Sequence, residues 1–217
     1  MYANQLRVLL TTSEKRVLAR LSTPRKIQDY LDKLPFNFEP GGDTYMSPRL
    51  TLAGGVAHCF EGTLLAAAAF TYHGQPPLLL DLRATPDEDD HTVALFRQRG
   101  LWGATSKTNH SVLRYRDPIY ASVRELAASY FHEYTADDGK KVLREYSGPF
   151  DLRKYPPKDW FAAEEKLQWL ADALDASRHF PLVPRKNLQL LRKASKIELD
   201  AATLLEWKKP KRQRFGK

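Results

Sequence analysis

The order of helical and strand patterns along the 217-residue chain predicts an α+β domain with a small antiparallel sheet. Amphipathic helical patterns come first, at residues 13–34, and an almost wholly apolar helical segment runs from Cys59 to Gly74. Three short strand-like runs then occupy residues 78–106. Because only short polar turns separate these runs, we expect the strands to pair in antiparallel fashion around the apolar helix.

Composition predicts one folded domain at residues 1–207 and a basic tail at 208–217. Hydrophobic residues make up 42% and charged residues 28%, which is typical of a folded domain. Six of the eight net positive charges lie in the tail, KKPKRQRFGK, so the rest of the chain is nearly neutral. Weak contact with nucleic acid or another anionic surface is therefore expected of the tail, Lys208–Lys217, rather than of the domain.

Targeting patterns and cysteine usage predict a cytoplasmic protein without membrane contact. No apolar run approaches the roughly 20 residues that span a bilayer. The N-terminal segment lacks the basic start, apolar middle and cleavage site of a secretion signal. A single cysteine allows neither an internal disulfide nor a cysteine-based zinc cluster, and the six histidines show no ligand spacing. No metal or other cofactor is predicted.

Caps and periodicity place the remaining elements. Thr23 and Pro24 suit the start of a helix that reaches Leu34, whereas residues 35–58, rich in proline and glycine, predict a long irregular segment. We expect residues 52–116 to form the core of the domain and residues 117–207 a helical extension. In that extension, Asp117 is predicted to cap a helix through residue 134, and residues 158–176 to form another.

Cys59 is the first candidate for chemistry, because it stands where the apolar helix begins. The exposed N–H groups and the positive dipole end of a helix favour thiolate and lower the pKa of a thiol. The same N–H groups can hold the oxyanion that forms when a thiolate attacks an acyl carbon. A lone cysteine is more often a small buried hydrophobic residue, so its position alone leaves both interpretations open.

The segment GGVAHCFEGTLLAAAAFTYHGQPPLLLDLR resembles the nucleophile segment of the transglutaminase-like superfamily, whose fold is related to that of papain. DDHTVALFRQRGLWGATS resembles the family's histidine strand and the tryptophan-containing strand after it. The match covers residues 52–109. It implies a core in which the helix starting at the cysteine packs on the antiparallel sheet. It also implies a hydrolase or acyltransferase acting on a protein, peptide or other amide through a thioester, as peptidases, deamidases and transglutaminases do.

The resemblance implies that Cys59 is the catalytic nucleophile and that His91 is the general base. His110 is the alternative base, since it follows the next strand in a loop. His58 precedes the cysteine, but its side chain is expected to diverge from the thiol around the helix start and to have an ordinary polar role.

The third catalytic position departs from the family. Where an Asp normally orients the imidazole, 15 positions after the histidine, this chain has Ser106. Asn109 is an alternative imidazole partner. Because a neutral partner stabilises imidazolium less than a carboxylate does, a catalytically weak or inactive binding module is the second hypothesis. Tyr45, in the loop before the helix, is a candidate for the oxyanion site, and Trp102 is expected in the core or the cleft wall.

Overall fold

The computed structural model describes residues 1–209, so residues 210–217 of the predicted basic tail lie outside the described residues. The helices are α1 (Tyr2–Leu9), α2 (Thr12–Arg20), α3 (Pro24–Lys33), α4 (Pro48–Gly54), α5 (Cys59–Tyr72), α6 (Val123–Ser129), α7 (Pro157–Trp160), α8 (Gln168–Asp175) and α9 (Lys196–Ala202). The strands are β1 (Leu78–Arg83), β2 (His91–Gln98), β3 (Leu101–Ser106), β4 (Arg116–Tyr120), β5 (Glu145–Ser147), β6 (Phe150–Asp151) and β7 (His179–Pro181). The α+β class with an antiparallel sheet is confirmed.

The helices before the core begin at the caps that the sequence indicates. In α3, the Thr23 hydroxyl accepts a hydrogen bond from the Lys26 N–H, and Pro24 occupies the first turn. The predicted helices at residues 13–34 are therefore confirmed as α2 and α3. α4 lies inside the segment predicted to be irregular: Ser47 caps it, and Gly55 ends it with a φ of 65°. Among the described residues, no helix is both long and apolar enough to cross a membrane.

The sheet is larger than predicted. Its strands follow the order β4-β3-β2-β1-β5-β7, with β6 also paired to β1, and every pairing is antiparallel. The three predicted strands are confirmed as β1, β2 and β3. The interpretation of residues 117–207 as a helical extension is wrong, because this region supplies most of β4 and all of β5, β6 and β7.

Asp117 and Pro118 belong to β4 rather than to a helix start. Pro118 is compatible with a strand here because β4 is an edge strand, where a missing N–H need not break the ladder. The helix begins only at Val123, where the Ser122 side chain accepts from the Glu125 N–H. The predicted helix over residues 119–134 is thus shortened to α6.

The single helix predicted over residues 158–176 is divided into α7 and α8. The chain between them bonds to the loop around residues 45–49 instead of continuing the helix. Three hydrogen bonds make this exchange: Arg49 N–H to the Phe161 carbonyl (3.1 Å), the Ser47 hydroxyl to the Ala163 carbonyl (2.7 Å) and Leu167 N–H to the Tyr45 carbonyl (2.9 Å). The apolar side of the predicted helix, Leu167, Leu170 and Leu174, is buried as expected.

The apolar core lies on both faces of the sheet. α5 is buried along nearly its whole length and packs against β2 and β1. Strand residues Leu79, Ala94 and Phe96 join α5 and the N-terminal helices in one cluster. Their neighbours Leu80, Val93 and Leu95 join a second cluster, with Leu126 and Tyr130. The alternation follows from the two-residue period of a strand and fixes the position of α5 across the sheet.

Gly62 allows α5 to approach the end of β3 closely. A Cβ at this position would lie 2.5 Å from the Cβ of Lys107, which is itself buried and donates from Nζ to the Leu34 carbonyl at 2.5 Å. We expect Gly62→Ala to lower the free energy of unfolding by about 1–3 kcal/mol, because overpacking outweighs the gain in helix propensity. Chemical denaturation measures this change.

The matched control is Gly54→Ala, at the last residue of α4, where no atom lies within 4 Å of an added Cβ. It should be neutral or stabilising by up to about 1 kcal/mol. Equal stability of the Gly62 and Gly54 variants would contradict the close packing of α5 on Lys107.

Candidate active site

Cys59 is the first residue of α5, and its side chain is half-buried. One turn further along, the Thr63 hydroxyl donates to the Thr92 carbonyl at 2.9 Å. Residues four apart lie on the same helix face, so this bond turns the face that carries Cys59 toward the start of β2. His91 is the first residue of that strand.

His91 and Ser106 are in direct contact, as the resemblance implies for the base and its orienting residue. The His91 Nε2 and Ser106 Oγ atoms are 2.8 Å apart. Ser106 pairs with Val93 across β2 and β3, and His91 lies two residues before Val93. Residues two apart on a strand share a face with the residue opposite, so the hairpin register brings the two side chains together.

The Ser106 hydroxyl determines which imidazole nitrogen of His91 carries hydrogen. Ser106 donates its one hydrogen to the Leu113 carbonyl, at 2.5 Å. A carbonyl only accepts, so toward His91 the Ser106 oxygen must be the acceptor and Nε2 the donor. In the neutral ring Nδ1 is then the unprotonated nitrogen, available to a thiol proton.

Leu113 is held in an unusual conformation that supports this arrangement. Its φ of 59° is left-handed, which is rare for a residue other than glycine, asparagine or aspartate. The Leu113 carbonyl accepts from Ser106, and its N–H donates to the Glu133 carboxylate at 2.8 Å. Glu133 in turn pairs with Arg116 at 2.7 Å. Such strain persists only where the surroundings impose it and is often found near functional sites.

His58 lies beside the thiol, so the expectation that its side chain diverges from Cys59 is wrong. His58 caps α5, and its Nδ1 is 4.0 Å from the Cys59 sulfur. The Phe60 N–H donates to the same nitrogen at 3.3 Å, so in this cap Nδ1 is an acceptor and the neutral ring carries its hydrogen on Nε2. On the far side of the ring, Nε2 is 3.4 Å from a carboxylate oxygen of Glu39 and 3.4 Å from one of Glu61. The thiol is therefore associated with two imidazoles.

The two imidazoles act on the ionisation of the thiol. Burial raises the pKa of Cys59, but the hydrogen bonds and charges of His58 and His91 outweigh burial and lower it to about 5. Burial alone would lower the pKa of His58, but Cys59, Glu61 and Glu39 together raise it to about 9. The two shifts share one cause, the mutual stabilisation of thiolate and imidazolium, and protonation of His58 at Nδ1 would replace its bond from the Phe60 N–H.

Glu61 connects the start of α5 to the loop before it. This fully buried carboxylate accepts from the His58 N–H (3.0 Å), the Met46 N–H (3.0 Å), the Thr44 hydroxyl (2.5 Å) and the Asn37 amide (3.0 Å). Glu39, His58 and Glu61 place possible metal ligands within 4.8 Å of one another. Because both Glu61 oxygens are already used by these donors, the group is better suited to hold an imidazolium than a metal ion.

A cleft of about 580 Å³ opens at the thiol. Its walls include Cys59, His58, Phe60, Tyr45 and Thr92, whereas His91 is not part of the lining and is only 6% exposed. Seven acidic residues line it, and we call them the cleft acids: Glu39, Asp43, Asp81, Asp89, Asp90, Asp172 and Asp175. No lysine or arginine of the described chain lines it.

A buried ion pair stands at one end of the cleft. His179 Nε2 is 3.0 Å from the Asp81 carboxylate, and its Nδ1 is 2.7 Å from the Ser177 carbonyl. Both neighbours are acceptors, so both nitrogens donate and the ring is an imidazolium; the bond to Asp81 outweighs burial and raises its pKa. Asp81, Asp90 and Asp175 also have carboxylate oxygens within 4.8 Å of one another, which makes them a second possible cation-binding group.

Other predicted site residues lie elsewhere. Asn109 is not the imidazole partner, because its side chain bonds the backbone of Trp207 through both Nδ2 (3.0 Å) and Oδ1 (2.8 Å). His110 is exposed and bonds the Ala202 carbonyl, so of the two candidate bases it is His91, not His110, that acts on the thiol. Trp102 lies under Arg97 and packs against the second core cluster, not in the cleft wall.

Tyr45 lines the cleft as anticipated, with a left-handed φ of 44° and its ring 6.1 Å from that of His58. Its role at the oxyanion remains a prediction. The functional residue that sequence reasoning missed is His58. The signal was present: His58 and Glu61 have the spacing of a capping box, in which the side chain of the first residue folds back over the helix start.

No protein-family model matches the chain, and no curated protein matches it. The chemistry of the site therefore has to be argued from its own residues.

The lowered pKa of Cys59 predicts alkylation by iodoacetamide with a pH midpoint near 5, since only the thiolate reacts and its fraction grows as pH rises through the pKa. His58→Asn keeps a good helix cap but removes the imidazolium. We expect it to raise the midpoint by about one pH unit or more, toward the ordinary thiol value of about 8.5. The reaction is quenched at timed intervals, and the mass of the intact protein gives the alkylated fraction and hence the rate at each pH.

His132→Asn is the matched control, because His132 is exposed and lies outside the cleft. Cys59 is the chain's single cysteine, so every adduct reports this site. A wild-type midpoint near 8.5, unchanged in His58→Asn, would show that the imidazoles do not activate the thiol.

Ser106→Ala removes the acceptor for the His91 Nε2–H. Without this bond the charged form of His91 is less stable and lowers the pKa of Cys59 less. One lost hydrogen bond of about 1 kcal/mol corresponds to a rise of about 0.7 in the thiol pKa, and hence to a fall of about threefold in alkylation rate at pH 5 with no fall at pH 8. Ser111→Ala, which also removes a serine–carbonyl bond but touches no imidazole, is the control. An equal loss at both pH values would indicate a packing defect instead.

Proposed function

We propose that this protein is a cysteine-dependent amide hydrolase or acyltransferase that acts on a protein, peptide or other amide through a thioester at Cys59. One observation carries the proposal: the thiol stands at a helix start, in the wall of an open cleft, with imidazoles that lower its pKa to about 5. A buried structural cysteine needs neither an imidazole nor access to a cleft.

In the first half-reaction the Cys59 thiolate attacks the carbonyl carbon of the amide, and a C–S bond forms as the carbonyl oxygen becomes an oxyanion. The N–H of Cys59 is the candidate donor to that oxyanion, since the Phe60 N–H is already bonded to His58 Nδ1. Collapse of this intermediate breaks the C–N bond, and an imidazolium proton transfers to the departing amine. The acyl group remains on sulfur as a thioester.

In the second half-reaction water or an amine attacks the thioester carbon and loses its proton to the neutral imidazole. Sulfur leaves as thiolate, which restores the starting ion pair. Water gives hydrolysis or deamidation, and an amine gives acyl transfer. Both outcomes use the same residues, so the proposed function covers hydrolysis, deamidation and acyl transfer alike.

The two histidines suit different tasks. His91 is held by Ser106 with Nδ1 as its free nitrogen, which fits the base that takes the thiol proton. His58 lines the cleft and has a pKa near 9, which fits the proton donor to the leaving amine. Glu39 and Glu61 would hold His58 in its charged form, as a carboxylate does for the imidazole of related triads.

The arrangement also supports the proposal that the core is transglutaminase-like. A central helix that starts at the cysteine packs on antiparallel strands, the histidine opens the second strand, and the orienting residue ends the third. The departure is Ser106 in place of an acid. Because its oxygen accepts from the ring, it can still fix the tautomer, though with less stabilisation of the charge.

The test is acylation of Cys59 by p-nitrophenyl acetate. We expect a burst of nitrophenolate with one acetyl group on Cys59, followed by slower turnover, and an acetylated amine as product when methylamine is added. His91→Ala should reduce the burst rate on the order of 10²- to 10⁴-fold, the usual contribution of a general base.

His110→Ala is the matched control and should leave the burst unchanged, since His110 lies outside the cleft. Absence of an acetyl group on Cys59, or equal burst rates in His91→Ala and wild type, would contradict the proposal. It would favour the alternative, a non-catalytic binding module of the same fold, which the neutral Ser106 partner and the burial of His91 support.

A further inference from the structure

The charge of the cleft contrasts with that of the chain. The chain carries 34 lysine and arginine residues against 26 acids, yet seven of those acids line the cleft and no lysine or arginine of the described chain does. Without the six basic residues of the tail, residues 1–207 carry 28 lysine and arginine residues against 26 acids, so a surface drawn at random from them would be nearly neutral. The cleft therefore concentrates negative charge at the place where substrate must reach the thiol.

Most of this charge is not neutralised by ion pairs. Three cleft acids have a cationic partner: Glu39 has His58, Asp81 has His179 and Asp175 has Arg83. The other four form no ion pair within the described part of the chain, and all four are exposed to solvent in the cleft: Asp43, Asp89, Asp90 and Asp172.

The carboxylates also influence one another. The oxygens of Asp81, Asp90 and Asp175 lie within 4.8 Å of each other. Burial raises the pKa of Asp90 and the charges of Asp81 and Asp175 add to the rise, which outweighs the Ala84 N–H and the charge of Arg83. Crowded carboxylates of this kind are stabilised when a cation binds between them.

A second observation points to a ligand in the same cleft. Thr92 lines the cleft and is only 7% exposed, yet its hydroxyl has no hydrogen-bond partner in the described structure. Buried hydroxyls are normally bonded, and an unbonded one is costly unless a ligand or water completes it. Thr92 and Cys59 line the same cleft, and the Thr92 carbonyl accepts from Thr63 one turn after Cys59, so this hydroxyl is a polar group that a peptide bound in the cleft would complete.

We infer that the cleft selects a cationic substrate: a peptide that carries a lysine or arginine side chain next to the amide attacked by Cys59. The positive side chain lies among Asp89, Asp90 and Asp172, and the Thr92 hydroxyl bonds the peptide backbone. The inference rests on the proposed function for the reacting bond. The charge selectivity of the cleft is a separate property and is tested separately.

The first test compares methanethiosulfonate reagents of different charge at Cys59. In each, the thiolate attacks the sulfenyl sulfur, a disulfide forms and methanesulfinate leaves. The probes are the trimethylammonioethyl (cationic), sulfonatoethyl (anionic) and methyl (neutral) reagents, with rates divided by those for 2-mercaptoethanol. We expect the cationic reagent to exceed the anionic one on the order of 10- to 100-fold at low salt, and the ratio to shrink at high salt.

The variant Asp89→Asn/Asp90→Asn/Asp172→Asn keeps hydrogen-bond acceptors at all three positions and should reduce this ratio at least several-fold. The control, Asp29→Asn/Asp137→Asn/Glu165→Gln, removes the same charge from exposed acids outside the cleft and should preserve the ratio. The neutral reagent reports thiol activation alone. A slow neutral rate with a high charge ratio would overturn the proposed function but keep the acidic cleft.

The second test uses peptide probes, acetyl-Ala-Arg and acetyl-Ala-citrulline chloromethyl ketones, in which the thiolate displaces chloride. Citrulline has the shape of arginine without its charge. The arginine probe should inactivate the full chain at least about tenfold faster in second-order rate, and the triple cleft variant should lose that preference.

Three results would overturn the inference. They are a charge ratio near one, equal rates for the two peptide probes, and loss of the charge ratio on adding micromolar calcium or manganese. The last would show that the carboxylates hold a metal ion rather than a basic side chain.

Discussion

The buried Glu61 carboxylate is the interaction on which the rest of the site depends. It lies in the first turn of α5, completes the cap with His58 and bonds Asn37, Thr44 and Met46 in the preceding loop. A fully buried charge is tolerable only when donors surround it, so the loop must close over the helix start. That closure gives the thiol its second imidazole and the cleft one of its walls.

Two separate structures hold the two imidazoles. His91 depends on sheet register, because the β2–β3 hairpin sets Ser106 beside it and the strained Leu113 completes the chain of hydrogen bonds. His58 depends on the helix cap and on the Glu39 and Glu61 carboxylates. Since one is rigid backbone geometry and the other is electrostatic, the thiol is activated by independent means. In the proposed reaction, a neutral Ser106 would therefore cost less than it would beside a single histidine.

Sequence patterns predicted the parts of the fold that local chemistry decides. The cap at Thr23, the helix start at Cys59 and the three central strands follow from short-range signals, whereas the position of Ser106 relative to His91 came from the family resemblance. The errors share a cause. Residues 117–120 and 161–167 have helical patterns, but tertiary hydrogen bonds override the local preference. Residues 117–120 pair with the edge of β3, and residues 161–167 bond to residues 45–49.

The sequence by itself determined that an apolar helix begins at the cysteine and that short antiparallel strands follow it, because periodicity and turn length fix those relations. Only the tertiary structure decided that His58 stays beside the thiol, that Asn109 serves Trp207, and that acids from four separate segments line one cleft. Those outcomes depend on distances between residues far apart in the chain, and no local pattern encodes such distances.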